Sequence, residues 1–237
     1  MAKLKDGSRV YGSLLVDNAI ITNSGFQNMV FLTTGTSVTY NLPASLHYIG
    51  AKFKVIIIGG GAGGATTAAT SGTTGSGGGS GGVISRIIQV AHGSSPFTFT
   101  YTVGAAGASN GAGTASSVIY NGSSTTAGAG AVVGTGGTVT GVTNGTTQNA
   151  IAFVGFTGAP AGTNASLQLG VGNGGDTPLG YGKGGRNADA FTAGTFPGAV
   201  GNAATGYGAG GSGGRNGSSA IARAGGAGAP GLIILQY

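Results

Sequence analysis

Short runs of apolar residues recur along this chain, and several of them alternate with threonine or serine. The strictest alternation lies in residues 96–103, where Phe97, Phe99 and Tyr101 share one face and the threonines lie on the other. A period of two residues is typical of a strand with one buried face. This segment therefore predicts a β-strand with an aromatic inner face.

Similar runs predict further strands in both halves of the chain. They lie at residues 14–16, 19–21, 29–32, 36–40, 53–58, 83–90, 117–120, 150–156, 166–171 and 231–237. Asn121-Gly122, which follows one of them, is a favoured hairpin turn. A terminal strand is usually tied into a sheet. We therefore expect residues 231–237 to pair with residues 53–58, which they match in length and hydrophobicity.

The composition narrows the fold class. Glycine supplies 55 of the 237 residues and glutamate none, and each glycine inside a helix costs about 1 kcal/mol relative to alanine. Hydrophobic residues make up 40% and charged residues 6%, whereas disordered chains combine low hydrophobicity with high charge. We therefore predict an ordered all-β protein with a glycine-rich, β-sandwich-like domain.

The long glycine-rich loops of this domain have two interpretations. Glycine strands in a polyproline-II-like conformation could pack side by side and hydrogen-bond to each other, in the manner of polyglycine II. The alternative is a set of floppy surface loops, because glycine loses more conformational entropy on ordering than any other residue. The sequence leaves both interpretations open.

The amino-acid composition of the chain changes near residue 50. Residues 1–50 hold a charged lead-in and several short strands, whereas the glycine tracts begin after them. We divide the chain into an N-terminal attachment or trimerisation module, residues 1–50, and a glycine-rich domain, residues 51–237. Fifty residues alone bury little surface, so we expect the module to pack on a partner or on copies of itself.

The segment Lys54–Gly64 matches the dinucleotide-binding pattern G-x-G-x-x-G after a strand. That site needs a helix directly after the glycines and an acidic residue about 20 positions further on. Residues 65–72 have no apolar stripe, and no acidic residue occurs between Asn18 and Gly175. We therefore interpret Lys54–Gly64 as a sheet strand that enters a loop, and we expect no cofactor.

Candidates for catalysis and metal binding are scarce. The acidic residues are Asp6, Asp17, Asp176 and Asp189, the histidines are His47 and His92, and cysteine is absent. A carboxylate pair of Asp176 and Asp189 is conceivable, but solvated turn aspartates are the simpler interpretation. The sequence offers no identifiable combination of a nucleophile, a general base and a third group that orients the base. We expect no catalytic site, no metal site and no enzymatic activity.

The charge balance is basic but diffuse. The net charge is +6, from 10 basic and 4 acidic residues that form no basic cluster, so we expect no nucleic-acid binding and at most a weak attraction to anionic surfaces. No apolar run approaches the ~20 residues that span a bilayer, and residues 1–12 do not resemble a signal peptide. We expect synthesis in a cytoplasm and no membrane insertion.

Two related segments suggest a contact surface. Residues 180–187 and 206–216 each place one tyrosine and one arginine among glycines, and two phenylalanines lie between them. Tyrosine offers contact area at low entropic cost and stacks on sugars or protein surfaces. Packing inside the domain is the alternative for each side chain. The candidate contact residues are Tyr181, Arg186, Tyr207, Arg215, Phe191 and Phe196.

Several of these segments together resemble the glycine-rich receptor-binding tip of bacteriophage tail fibres. The similar segments are Lys54–Gly64, Tyr101–Ser117, the Gly-Tyr-Gly-x-Gly-Gly repeats and the terminal Gly228–Tyr237. The resemblance covers residues 51–237, and residues 1–50 are similar in style to fibre attachment modules. It implies a homotrimer in the virion tail, joined through residues 1–50 to a baseplate or another fibre protein.

The same resemblance implies that the loops recognise a bacterial surface glycan or outer-membrane protein. Two other functions are kept beside it. One is a purely structural cap or spacer of the virion. The other is a polysaccharide-degrading enzyme, which normally needs a suitable pair of carboxylates.

Overall fold

The computed structural model describes residues 13–16, 19–22, 28–48, 50–69, 73–90, 97–132, 136–137, 139–140, 150–160, 172–182, 198–216 and 221–237. These residues contain fourteen strands and one short 3-10 helix, Ala44–Leu46, which confirms the all-β prediction. The strands are β1 Ser13–Val16, β2 Ala19–Thr22, β3 Met29–Leu32, β4 Val38–Asn41, β5 Lys52–Ile58, β6 Val83–Gln89, β7 Thr98–Thr102, β8 Ser116–Tyr120, β9 Ser123–Ala127, β10 Val139–Thr140, β11 Ala150–Phe153, β12 Gly180–Tyr181, β13 Thr205–Gly206 and β14 Leu232–Gln236. The expected strand at residues 166–171 lies outside the described residues.

Two antiparallel sheets of five strands form the base of the molecule. Sheet I has the order β11-β6-β5-β14-β3, and sheet II has the order β10-β9-β8-β7-β4. In sheet I, β5 lies between β6 and β14, and Ile56 is directly opposite Ile234. The predicted pairing of the opening and terminal strands is therefore confirmed.

The inner faces of the two sheets meet in one hydrophobic core. Phe53, Val55 and Ile57 of β5 are fully buried, as alternation along the strand requires. From sheet II, Phe99 stacks near Phe53 with ring centroids 6.1 Å apart, and Tyr120 meets the Phe53 ring edge-on. The predicted aromatic face of β7 therefore packs inwards, while its threonines remain half-exposed.

Part of the predicted N-terminal module is built into these sheets. Strand β3 is the edge of sheet I beside β14, and β4 is the edge of sheet II beside β7. Strands β1 and β2 form a separate antiparallel pair, as their sequence predicted. The sandwich therefore begins near residue 28, well before the change of composition at residue 50.

The glycine segments continue from the strands at one end of the sandwich, and their hydrogen bonds follow a period of three residues. Along residues 59–67, successive N–H groups donate to three different neighbours in rotation. Gly59, Ala62 and Ala65 donate to residues 82, 79 and 76 of one neighbouring segment. Gly60 and Gly63 donate to residues 114 and 111 of a second. Gly61, Gly64 and Thr67 donate to residues 229, 226 and 223 of a third. Three residues per turn is the geometry of an extended polyproline-II-type helix.

Further segments surround residues 59–67 on their carbonyl side. Gly60 accepts from Gly130, residues 61 and 64 accept from residues 107 and 110, and residues 62 and 65 accept from residues 211 and 214. Residues 75–82 follow the same rule. Their successive N–H groups donate in turn to carbonyls of residues 208–214, 156–159 and 128–131. The described glycine segments therefore form a polyglycine-II-like lattice, which decides between the two interpretations for these segments. We call it the glycine lattice.

Close backbone contact explains why the lattice needs glycine. A Cβ atom added to Gly61 would lie 2.0 Å from the carbonyl oxygen of Ala209, and one on Gly64 would lie 2.0 Å from that of Ser212. Neither oxygen is on a side chain that could move aside. Ala62, which is also fully buried, shows that some positions of the lattice admit a small side chain.

Candidate functional site

Tyr181 and Tyr207, two of the predicted contact residues, lie in neighbouring segments. Strand β12 pairs with β13, so that Tyr181 is opposite Thr205. The N–H of Tyr207 donates to the carbonyl of Leu179 at 3.0 Å, and a Cβ on Gly180 would lie 2.3 Å from the Tyr207 carbonyl oxygen. The two related segments of the sequence therefore pair with each other.

The two tyrosines differ in exposure. The Tyr181 side chain is 74% exposed. Tyr207 is half-buried and packs against a small cluster on the outer face of sheet I that includes Ile58 and Leu232. Tyr181 is therefore available for contact, whereas Tyr207 covers one end of the sheet.

Two side chains brace the backbone around these tyrosines. The carboxylate of Asp176 accepts a hydrogen bond from the N–H of Gly182, and the Thr177 hydroxyl donates to the carbonyl of Tyr207. Asp176 is exposed, and its bond spans six residues, across the turn that Thr177 and Gly180 close. Asp189, its conceivable catalytic partner, lies outside the described residues.

The other predicted contact residues divide into one buried residue and three undescribed ones. Arg215 is 5% exposed and lies between Thr74 and Ala199 in the glycine lattice. It follows Ala209 and Ser212 at intervals of three, so these three residues share one edge of a threefold segment. Arg215 therefore lies in the interior rather than on the surface. Arg186, Phe191 and Phe196 lie outside the described residues.

The turns at the end of the lattice remote from the sandwich form a second exposed region. Thr66 and Asn110 are exposed there, and the Thr66 hydroxyl lies 3.4 Å from that of Ser109. The Arg223 N–H donates to the Thr67 hydroxyl at 2.8 Å, which fixes the neighbouring turn. Sequence reasoning missed this region because the residues that form it are far apart in the chain.

The outer face of sheet I carries a row of mostly apolar residues that sequence reasoning did not identify, whereas Lys52 and Lys54 lie on the same face nearer its other end. One row of directly opposed residues crosses all five strands. The row consists of Ile151, Ser85, Ile56, Ile234 and Phe31. We call this surface the apolar face. Ile151 and Phe31, at its two edges, are 62% and 57% exposed.

Other apolar residues extend this face along the strands. Phe153, two residues beyond Ile151, is also mostly exposed, as is Met29, two residues before Phe31. Antiparallel sheets usually combine one apolar face with one polar face. A possible signal in the sequence was Ile56-Ile57-Ile58, where apolar residues occupy both faces of β5.

The outer face of sheet II follows the usual pattern. Thr98, Thr100 and Thr102 of β7 lie on it, and the Thr102 hydroxyl accepts a hydrogen bond from the N–H of Ser37. Ile119 of β8, which is 43% exposed, is opposite Thr100. The two outer faces of the sandwich therefore differ in chemistry.

Groups that could support chemistry are sparse in the described part of the chain. No set of three histidine, cysteine, aspartate or glutamate side chains there could hold a metal ion. His47 stacks on Phe97 with ring centroids 4.5 Å apart, and its Nε2 lies 2.7 Å from the carbonyl oxygen of Leu42. His92 lies outside the described residues. Within the same part, no helix has the length and hydrophobicity to cross a membrane.

Comparison with known protein families matches residues 32–237 to the family described as "Glycine-rich domain". The match covers most of the chain, and the chain belongs to this family. The match begins at Leu32, the last residue of β3, and includes the other strands of both sheets and the glycine lattice. Comparison with curated proteins found no match.

Proposed function

We propose that this member of the glycine-rich domain family is the receptor-binding protein of a bacteriophage tail fibre. In this proposal it is a non-enzymatic adhesin of the virion, made in the host cytoplasm and assembled as a homotrimer. It binds a surface glycan or outer-membrane protein of the bacterium. Residues 1–50 join it to a baseplate or another fibre protein.

The observation that carries the proposal is the rigid mounting of exposed side chains on the glycine lattice. Tyr181 is 74% exposed, while the backbone beside it is fixed by Asp176, Thr177 and the close approach of Gly180 to Tyr207. A side chain that is already in place loses little entropy on binding. Such a surface suits an adhesin that must bind without folding first.

The chemistry of this surface fits a sugar or protein ligand. The Tyr181 ring can stack on the apolar face of a sugar, and its hydroxyl can donate a hydrogen bond. Leu179, also exposed, and the half-buried Tyr207 lie nearby and extend the contact area. Three copies in one trimer, and several trimers in one particle, would raise avidity without requiring a tight single site.

The test is binding of the labelled full chain to intact host cells and to cells stripped of surface glycan. We expect Tyr181→Ala to weaken binding about 10-fold or more. A tyrosine that becomes buried in a binding interface contributes roughly 1.4 kcal/mol or more to the binding free energy. Tyr48→Ala is the matched control, since Tyr48 is exposed beside the 3-10 helix of the sandwich. Equal binding by wild type and Tyr181→Ala would remove Tyr181 from the site.

The binding assay and a separate assay for polysaccharide cleavage distinguish the alternatives. A wild-type chain that binds neither cell preparation supports a structural cap or spacer. New reducing ends in host polysaccharide incubated with the chain would instead support a degrading enzyme. Loss of binding only on stripped cells assigns the receptor to the glycan, whereas equal binding to both preparations assigns it to a surface protein.

A further inference from the structure

Arg86 occupies a position of β6 that faces the hydrophobic core. Ile84 and Ile88, two residues away on either side, are both buried in that core. Residues directly opposite each other in an antiparallel pair share one face, and Arg86 is opposite the fully buried Val55. The Arg86 side chain therefore points between the two sheets rather than outwards from the sandwich.

The guanidinium of Arg86 contacts a buried hydroxyl of sheet II. Its Nη1 donates to the hydroxyl oxygen of Thr125 on β9 at 2.6 Å. Thr125 is 1% exposed, whereas Arg86 is only half-buried. The two residues lie one strand in from the β11 edge of sheet I and the β10 edge of sheet II. Ala150, opposite Arg86 on β11, is too small to cover the guanidinium, so solvent reaches the pair from this side of the sandwich.

This pair of side chains offers more hydrogen-bond donors than acceptors. A guanidinium carries several N–H donors and no acceptor, and a threonine hydroxyl adds one O–H donor. In the part of the chain that the structure describes, the bond to Thr125 is the only side-chain hydrogen bond of Arg86, and no acidic residue forms an ion pair with it. Asp176, the one acidic residue in that part, bonds to Gly182 instead. Since arginine is always charged, the pair is a cationic donor set without a carboxylate.

We propose that Arg86 and Thr125 bind an oxyanion, a carboxylate or a phosphate, between the two sheets. The planar fork of a guanidinium matches the oxygens of both groups, and the Thr125 hydroxyl supplies a further donor beside it. Face-to-face sheets lie ~10 Å apart, so the space suits one anionic group rather than a whole sugar ring. The site is separate from Tyr181, and the proposal does not depend on receptor binding.

Titration of the full chain with free anions tests the site in the wild-type protein. The probes are sodium acetate and sodium phosphate, with sodium chloride adjusted to hold the ionic strength constant. We expect the side-chain Nε–H resonance of Arg86 in the NMR spectrum to shift with added anion and to saturate. Saturation distinguishes a bound anion from general screening of charge. An Arg86 resonance that moves with neither anion would overturn the proposal.

Two variants separate the contributions of the two donors. Bound phosphate should raise the urea midpoint of the wild type, and we expect Arg86→Gln, which keeps a donor but loses the charge, to abolish this rise. Thr125→Val should weaken phosphate binding about 10-fold, the loss of one hydrogen bond to a charged group. Lys52→Gln is the matched control, because it removes a positive charge from the outer face of the neighbouring β5. Phosphate also stabilises proteins without a specific site, so an equal rise in wild type and Arg86→Gln would overturn the proposal.

Glucuronate and glucose identify the source of the anionic group. Glucuronate carries a carboxylate on a sugar ring, and glucose has the same ring without the charge. Tighter binding of glucuronate than of acetate, followed at the Arg86 resonance, would assign the site to an acidic group of a glycan. Tighter binding of acetate or phosphate would assign it to a small free anion. Glucose that shifts the resonance as strongly as glucuronate would overturn the proposal, because charge would then not be what Arg86 recognises.

Discussion

At the scale of single residues, the glycines of the lattice are required by backbone contact rather than by unusual backbone angles. Gly61 has no positive φ, yet its missing Cβ would lie 2.0 Å from the Ala209 carbonyl oxygen. Gly122, in the Asn121-Gly122 turn, has a φ of +73° and no atom within 4 Å of an added Cβ. Glycine is therefore required at position 61 by the lack of space for a side chain, and at position 122 by the backbone conformation.

Gly61→Ala should destabilise the protein by about 3 kcal/mol or more, because overpacking costs ~1–3 kcal/mol even where side chains can adjust. The gain of less than ~1 kcal/mol from a stiffer unfolded chain is too small to compensate. Gly122→Ala should cost only ~1–2 kcal/mol, the penalty of a left-handed alanine. Chemical denaturation measures both, and equal losses would contradict the steric explanation.

Tyr40 gives the sandwich a dependence on alkaline pH. Its ring stacks on Phe99 with centroids 5.1 Å apart. Burial raises the pKa of Tyr40 above its ordinary value, and the nearby Tyr237 and Tyr101 raise that pKa further. The unfolded chain releases this proton near pH 10 and the folded chain only at a higher pH. Stability contributed by neutral Tyr40 is therefore present below about pH 10 and is lost as the pH rises towards the folded pKa.

Tyr40→Phe should make the loss of stability above about pH 10 less steep, because the ring stays and the ionisable hydroxyl goes. The measurement is the urea midpoint between about pH 8 and 11. Tyr48→Phe, at an exposed position, is the control. Parallel pH profiles for wild type and Tyr40→Phe would show that burial of this hydroxyl does not affect folding.

At the scale of elements, the strands were predictable and the lattice was not. Alternation in residues 96–103 is local, and it gave β7 and its buried face correctly. The lattice segments have no comparable pattern, because each is bonded to partners such as residues 107, 211 and 229 that are distant in sequence. Arg215 is buried because the whole run of residues 208–216 lies inside the lattice, which depends on neighbours that are distant in sequence.

The same contrast applies to the candidate surfaces. Tyr181 is exposed, and its role in contact remains a prediction. The apolar face could not be predicted, since it depends on which strands pair and in which register. Ile151 and Phe31 are 120 positions apart in the sequence, yet they share one row of sheet I.

The lattice segments should resist hydrogen exchange as strongly as a central strand does. Every N–H from Gly59 to Ala65 donates to a backbone carbonyl, and most of these residues are buried. We expect their amide protons to exchange as slowly as those of β5. Hydrogen exchange followed by NMR provides the measurement. Exchange at the rate of an unstructured peptide would show that the lattice does not persist in solution.

At the scale of the whole molecule, the sandwich and the lattice are one structural unit. Strand β5 runs directly into Gly59, and Gly231 runs directly into β14. The buried Ser116 hydroxyl also joins them, since it donates to the carbonyl of Ile58 at 2.6 Å and accepts from the N–H of Gly104 at 2.8 Å. Neither part can unfold without releasing the ends of the other.

Heat or urea should therefore unfold the sandwich and the lattice in one transition. Tyrosine fluorescence reports on the sandwich core, and amide exchange reports on the lattice. At one fixed protein concentration the two signals should change at the same midpoint. Separate midpoints would indicate that the lattice can melt while the sheets remain folded.

The threefold hydrogen-bond rotation gives each lattice segment a reading frame. Adding three residues within a segment returns every later glycine to the neighbour it faced before. An insertion of one or two residues instead rotates all later residues by about 120° or 240° about the segment axis. Alanine and serine side chains would then point at neighbouring carbonyls. The turns between segments have no such constraint, so their lengths and sequences are free to diverge. In the proposed adhesin, receptor specificity could therefore change in the turns without any change to the scaffold that holds them.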